Sequence, residues 1–388
     1  MDRRGGRYVD KARVEGDLMT NTDVVFVIGT RPEIIKTAPV IAECKQRGVS
    51  TVVIHTGQHY SESLDGVFFD QLDLDPPDVN LEVGSGTHGA QTGQMLAGIE
   101  KQLKLHDPET VLVQGDTNST LAGALAATKL GIDVAHIEAG LRSFDREMPE
   151  ETNRVIVDHI ADYLYPPTEE TADRLRDEGL PNDRITVTGN TIVDAVTAYD
   201  EIAVAESTVL SDLGVTPDEF ILLTAHRAET VDNKDSFASI LQGVARTAVC
   251  LDTEVIYPIH PRAQQRLDTF GLTIPEPIRA IDPLDFFDFL RLESTAALAF
   301  TDSGGVQEEA CILGTPCVTL RYGTERPETA FVGANCIAGH DPADIVDAAI
   351  AMYQKAGDWE TPFGDGSAAG HILETLPFAS AQHVVEAN

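Results

Sequence analysis

Positive charge is scarce in this chain. Its 388 residues carry 28 Lys plus Arg against 63 Asp plus Glu, a formal net charge of −35. A surface of that sign repels polyphosphates and anionic lipid, which argues against nucleic acid or a membrane as a partner. No apolar run approaches the roughly 18–20 residues that a membrane span requires. The first eighteen residues, MDRRGGRYVDKARVEGDL, mix both signs of charge and lack the apolar stretch of a signal peptide. Residues 1–20 read as a disordered tail, with Met19 as an alternative start, and a cytoplasmic location is expected. The five cysteines (Cys44, Cys250, Cys311, Cys317, Cys336) form no C-x-x-C pair. Reduced thiols are expected, and no metal site.

Familiar nucleotide signatures are missing too. The turn after the first apolar run is GTRPEI, not G-x-G-x-x-G, so it lacks the glycines that let a dinucleotide pyrophosphate approach. Neither a G-x-x-x-x-G-K-[ST] loop nor a G-x-S-x-G nucleophile elbow occurs. Chemistry without NAD or ATP hydrolysis is the expectation. The acidic residues are spread along the chain rather than gathered in a tail, which fits adaptation to high salt, where screening mutes self-repulsion.

What is present is a repeated alternation. VVFVIGT (24–30), TVVIHTG (51–57), TVLVQGD (110–116) and DVAHIEAG (133–140) are short apolar runs that end in Gly or polar residues. Helical-period segments lie between them. The cycle restarts with FILLTAH (220–226), TEVIYPIH (253–260), AALAFTD (296–302) and PCVTLRY (316–322). This pattern predicts an α/β protein with two Rossmann-like doubly wound domains and a cleft between them. The expected boundaries are 21–195 and 215–368, with a linker near 190–215.

Ligands of such folds bind beyond the carboxyl ends of the strands. Polar residues gather there: Arg31, Asp116, Glu138, His226, His260 and Ser303. Asp116 reads either as an N-cap or as a functional acid. Glu138 comes directly after an apolar strand, so burial is expected to raise its pKa toward a useful acid/base range. Glu150 and Glu151 come after Pro149, where the helix dipole or proton transfer could employ them. Arg31, Lys36, His226, Arg227, Arg262, Arg321 and Arg326 supply cations suited to phosphate. In TDSGGVQEEA (301–310) two glycines at a helix mouth invite an anion, while the glutamates a turn later oppose one.

In order along the chain stand GTRPEIIKTAP, GDTNST, HIEAGLRS, MPEETNR, TGNTIVDA, HRAETVDN, TDSGGVQEEACILGTPCVTLR and TERPE. Together they resemble the non-hydrolysing UDP-N-acetylglucosamine 2-epimerases over about residues 22–375. TGQHYSES and VGSGTHGAQTGQML are nearer the archaeal branch. The resemblance implies a GT-B arrangement, a C-terminal helix (369–388) returning to the first domain, a homodimer, and cofactor-free interconversion of UDP-GlcNAc and UDP-ManNAc through 2-acetamidoglucal. By matched position it implies Asp116, Glu138 and Glu150 as acid/base residues and His226 near the diphosphate. Arg31 and Lys36 would serve the nucleotide end, and Arg326 the departing UDP. Ser303, Gly304 and Gly305 would hold the diphosphate, Glu309 the ribose hydroxyls and Phe289 the uracil. Glu308 is expected only to favour the helix dipole. Leu284 stands where some relatives carry Gln, and Tyr60 where bacterial members carry an Arg of a regulatory site. A GT-B glycosyltransferase, a hydrolysing epimerase and a nucleotide-sugar sensor are the rival readings.

Overall fold

The computed structural model describes residues 22–58, 69, 71–353, 355 and 357–378. The amino-terminal tail, Tyr60 and the end of the chain beyond 378 lie outside the described residues. Twelve strands are described: β1 (Val24–Ile28), β2 (Thr51–His55), β3 (Val79–Asn80), β4 (Thr110–Gln114), β5 (Asp133–Ile137) and β6 (Tyr163–Tyr165), then β7 (Phe220–Thr224), β8 (Glu254–Pro258), β9 (Ile278–Ile281), β10 (Leu298–Thr301), β11 (Cys317–Thr319) and β12 (Asn335–Ile337). They form two parallel six-stranded sheets, ordered β3-β2-β1-β4-β5-β6 and β12-β11-β10-β7-β8-β9.

Every residue of β1 is buried, because helices cover both faces of the sheet. Alternation divides the strand: Val24, Phe26 and Ile28 join one core cluster, and Val25 and Val27 the other. In each sheet the chain reverses direction of build at one gap, β1/β4 in the first and β7/β10 in the second. A ligand crevice opens at such a switch point.

The helix Arg31–Arg47 has Pro32 and Glu33 in its first turn and Lys45 and Arg47 in its last, and is capped by Gly48 in the left-handed region. The two halves are joined by packing as well as by chain. Residues 191–206, inside the segment expected to be linker, form the helix Thr191–Glu206, with Ile192, Ala195, Val196 and Tyr199 buried. It packs on the helices Arg31–Arg47, Phe286–Thr295 and Gly304–Leu313. The first-half core therefore takes in Phe286, Phe287 and Leu290 from the second half. The last described helix, Ala368–Thr375, lays Ile372 and Leu373 into that same core against Arg31–Arg47.

Candidate active site

The carboxyl ends of both sheets face one cleft. A cavity of about 380 Å³ there is lined from both halves, including Glu33, Lys36, Asp116, Glu138, Ser303, Gly305, Glu308, Glu309 and Arg326. A second hollow of about 620 Å³ shares Asp116, Arg227, Gly305 and Arg326 with it and adds Glu150, His226, Arg262 and Gly304. An apolar hollow of about 480 Å³ along the helix Lys234–Leu251 contains none of these residues.

The cleft floor is an ion-pair cluster that crosses between halves. Lys36 Nζ donates to Glu138 Oε1 at 2.6 Å and to Glu308 Oε2 at 3.0 Å. Asn190 Nδ2 donates to the same two carboxylates, at 3.0 and 3.2 Å. Arg326 Nε donates to Glu308 Oε1 at 2.5 Å, and its Nη2 lies 4.0 Å from Glu138 Oε1. Gln114 holds the other oxygen of Glu138. Taking four charges from water is costly, and such a cluster is weak evidence for stability. Its position across the cleft suits chemistry better.

These contacts correct two expectations. Burial does oppose ionisation of Glu138, but Lys36 and then Arg326 outweigh it and hold the carboxyl at about 2. Glu138 is a standing anion, not a carboxyl tuned upward. Its backbone is left-handed, φ 66°, a strained conformation for a non-glycine residue. Glu308 does more than face a helix dipole: it is buried and pairs with both Lys36 and Arg326. Lys36 in turn is committed to the carboxylates.

Asp116 is not the N-cap of the next helix. Thr117 takes that place, its side chain accepting from Ser119 N and Thr120 N. Asp116 is left at the cavity wall, paired with Arg154 at 2.5 Å. The two neighbouring glutamates divide. Glu151 is buried and accepts from Ser143 N, Ser143 Oγ and Phe144 N, a structural duty. Glu150, half-buried, faces the larger hollow.

On the opposite wall, Asp302 is fully buried and accepts from the backbone N–H groups of His226 and Arg227 at 2.8 and 2.9 Å. Its other oxygen lies 3.2 Å from His226 Nδ1. This orients the imidazole. Ser303 precedes the helix Gly304–Leu313 without a capping hydrogen bond from its side chain. Ser303, Gly304 and Gly305 line the two hollows, and the free first-turn amides of a helix make a ready anion site.

Two expected ligand residues stand apart. Phe289 lies half-buried against a satellite cluster with Val209, Phe220 and Leu292, and is not among the lining residues of either hollow. Arg31 opens its helix beside His260, whose pKa is lowered by burial and by His226, Arg262 and Arg31. Sequence reasoning missed Glu33, Asn190 and Asp302. Glu33 accepts from Gly29 N, Thr30 Oγ1, Thr117 Oγ1 and Thr120 Oγ1. Burial nonetheless raises its pKa to about 7. Gly29 had a legible signal, being a lone glycine at a strand end. A Cβ there would stand 2.1 Å from Thr56 Oγ1 and 2.2 Å from Ser119 Oγ.

Two doubly wound domains with a charged cleft between their switch points make this an α/β protein of the GT-B arrangement. A family profile described as UDP-N-acetylglucosamine 2-epimerase matches residues 42–377. The UDP-N-acetylglucosamine 2-epimerase of Methanocaldococcus jannaschii is 49% identical over 359 residues, covering 91% of this chain and 98% of its own length. The UDP-2,3-diacetamido-2,3-dideoxy-D-glucuronate 2-epimerase of Pseudomonas aeruginosa is 39% identical, covering 91% and 99%. A crystal structure of the M. jannaschii UDP-GlcNAc 2-epimerase in complex with UDP-GlcNAc and UDP superposes with a TM-score of 0.84 at 48% identity, covering 92% of this chain and all of that one. The chain belongs to the UDP-N-acetylglucosamine 2-epimerase family.

Proposed function

We propose that this protein interconverts UDP-GlcNAc and UDP-ManNAc by inverting C2 of the sugar. The observation that carries the proposal is the cleft itself, where a first-half wall of carboxylates faces a second-half lip of helix amides and arginines. In the reaction, the C1–O bond to UDP breaks and the C2 proton leaves, so C1=C2 forms and 2-acetamidoglucal and UDP result. Return of a proton to the opposite face of C2, with re-addition of UDP at C1, completes the inversion. The C2 proton is weakly acidic, so carbon–oxygen cleavage leads and positive charge develops on the ring.

Glu138, ionised and rigidly held, stabilises that charge as carboxylates do in glycoside hydrolysis. Asp116 and Glu150, at the more open wall, move protons with it. Departing UDP gathers negative charge, which Arg326 and the amides at Ser303, Gly304 and Gly305 accept. His226, oriented by Asp302, stands at the diphosphate. Arg31 serves the nucleotide, Glu309, on the helix Gly304–Leu313 that lines the cleft, the ribose hydroxyls, and Phe289 the uracil. Lys36 acts by holding Glu138 to Glu308.

The catalytic carboxylates fall to a domain over 21–195 and the nucleotide to one over 215–368, with the helix Ala368–Thr375 returning to the first. We place the enzyme in the cytoplasm of a salt-adapted cell, as a homodimer that feeds ManNAc-type precursors to glycan synthesis. The net charge of −35 supports the salt adaptation. Incubation with UDP-GlcNAc in deuterated water at high KCl, monitored by NMR, tests the reading. UDP-ManNAc carrying deuterium at C2 is the expected product. Free ManNAc would indicate hydrolysis instead, and unchanged UDP-GlcNAc with no exchange would sink the proposal.

A further inference from the structure

The helix Phe286–Thr295 carries a carboxyl that the epimerisation chemistry does not use. Glu293 is fully buried, and neither of its carboxyl oxygens receives a hydrogen bond from a donor among the described residues. Its helix packs against Gly304–Leu313, which brings it beside the carboxyl of Glu309, whose side chain lines the cleft. Two carboxyl groups can hydrogen-bond only when one carries a proton. In a desolvated site two adjacent carboxylates do not both ionise.

The charges on the surrounding elements lead to the same place. Lys36 reaches this corner from the helix Arg31–Arg47, Arg326 from the loop after β11, Glu308 from Glu309's own helix and Glu138 from the end of β5. The two cations are paired with Glu138 and Glu308, and the pull that Lys36 keeps on Glu309 is smaller than the opposing effects of burial and of Glu308. From β11 the facing group is the Cys317 thiol, which burial and Glu293 push well up, so it too is neutral. Burial first, and a neighbouring glutamate second, raise both Glu293 and Glu309.

We propose that Glu293 is a positioning residue for substrate binding, sharing one proton with Glu309 and so fixing that carboxyl toward the cleft. The pair then carries at most one negative charge. It can accept from a neutral diol one helical turn below the amide lip while repelling a diphosphate less than two free carboxylates would. This rests on the reading of Glu309 as the acceptor for the ribose hydroxyls.

Infrared difference spectra of the ligand-free full chain at pH 7 test the proton, and kinetics test its use. The carbonyl band of a neutral carboxylic acid is expected in the wild type, with one component missing in Glu293→Gln and shifted in Glu309→Gln. Glu33 supplies its own component, unchanged in these variants. Glu293→Leu is expected to raise KM for UDP-GlcNAc, and Kd for UDP by calorimetry, about tenfold with kcat within about twofold. Glu293→Gln, which keeps a donor toward Glu309, recovers most of that loss and guards against a Leu variant that does not fold. An acid band untouched by Glu293→Gln overturns the shared proton. Unchanged KM and Kd in the Leu variant overturn the positioning role, while turnover in the wild type leaves the proposed function standing. Absence of wild-type turnover sinks the proposed function alone, and the infrared and UDP-binding results then decide this inference.

Discussion

The two halves share one strand order and arm it differently. At the first switch point, between β1 and β4, the loops present Arg31 and Asp116, with Glu138 beside them at the end of β5. At the second, between β7 and β10, they present His226, Arg227 and a helix mouth opened by Ser303. Each switch point is also tied by a buried carboxylate, but from opposite sides. Glu33 belongs to the helix after β1 and reaches across to Thr117 and Thr120 beyond β4. Asp302 comes after β10 and reaches back to the amides of His226 and Arg227 after β7. The contrast extends to charge. Burial raises Glu33 to about 7 despite its donors, whereas in Asp302 burial is overcome by His226 and the two amides. One scaffold thus yields an acidic wall and a wall of cations and a helix mouth, according to the residues placed at the end of each strand.

The sharpest way to break this comparison is to remove one group from each wall and measure steady-state turnover by NMR. Glu138→Gln is expected to lower kcat by about 10²–10⁴-fold with little change in KM. Ser303→Ala should raise KM severalfold and largely spare kcat. Comparable kcat losses in both would mean that the walls do not divide the labour.

Stability should show a smaller asymmetry. Lys36→Met leaves Glu138 and Glu308 buried with a single shared cation, and should cost about 3–5 kcal/mol in urea unfolding. Arg227→Met removes a partly exposed pair to Glu325 at 3.6 Å, and should cost less than about 1 kcal/mol. A Lys36 variant as stable as the Arg227 one would show that the floor cluster is already solvated.

The slightest effect is the dependence of stability on pH, in which the two tying carboxylates act with opposite sign. Glu33 binds its proton more tightly folded than unfolded, so its contribution is complete below about 4.5 and is lost as pH rises toward about 7. Asp302 is depressed below 3.8, so its contribution is complete above that value and is lost as pH falls. Thermal midpoints across pH should therefore lose their near-neutral slope in Glu33→Gln and their acid slope in Asp302→Asn. The same slope lost in both variants would end the distinction.

Central and edge strands show how far local pattern reached. The eight strands read from sequence are the inner four of each sheet. The four unread strands, β3, β6, β9 and β12, are the outermost, two to four residues long and only partly buried. A strand covered on both faces needs a continuous apolar run, while an edge strand does not and leaves little trace. Motif order made the family and most cavity residues legible in the same way. Position at a strand end led to the wrong shift for Glu138, and helical spacing to expecting too little of Glu308.

By itself, then, the sequence determined the alternation of elements, the absence of dinucleotide and P-loop signatures, and which polar residues end the inner strands. These are properties of short windows, set by periodicity and turn chemistry. Only the tertiary structure decided which charges meet. Lys36 and Glu308 are 272 positions apart in the chain yet 3.0 Å apart in the cleft. The ionisation of Glu138, the proton held near Glu293 and the release of Asp116 from capping all depend on such distances. Electrostatic energy depends on separation and burial in space, which a window of sequence does not contain.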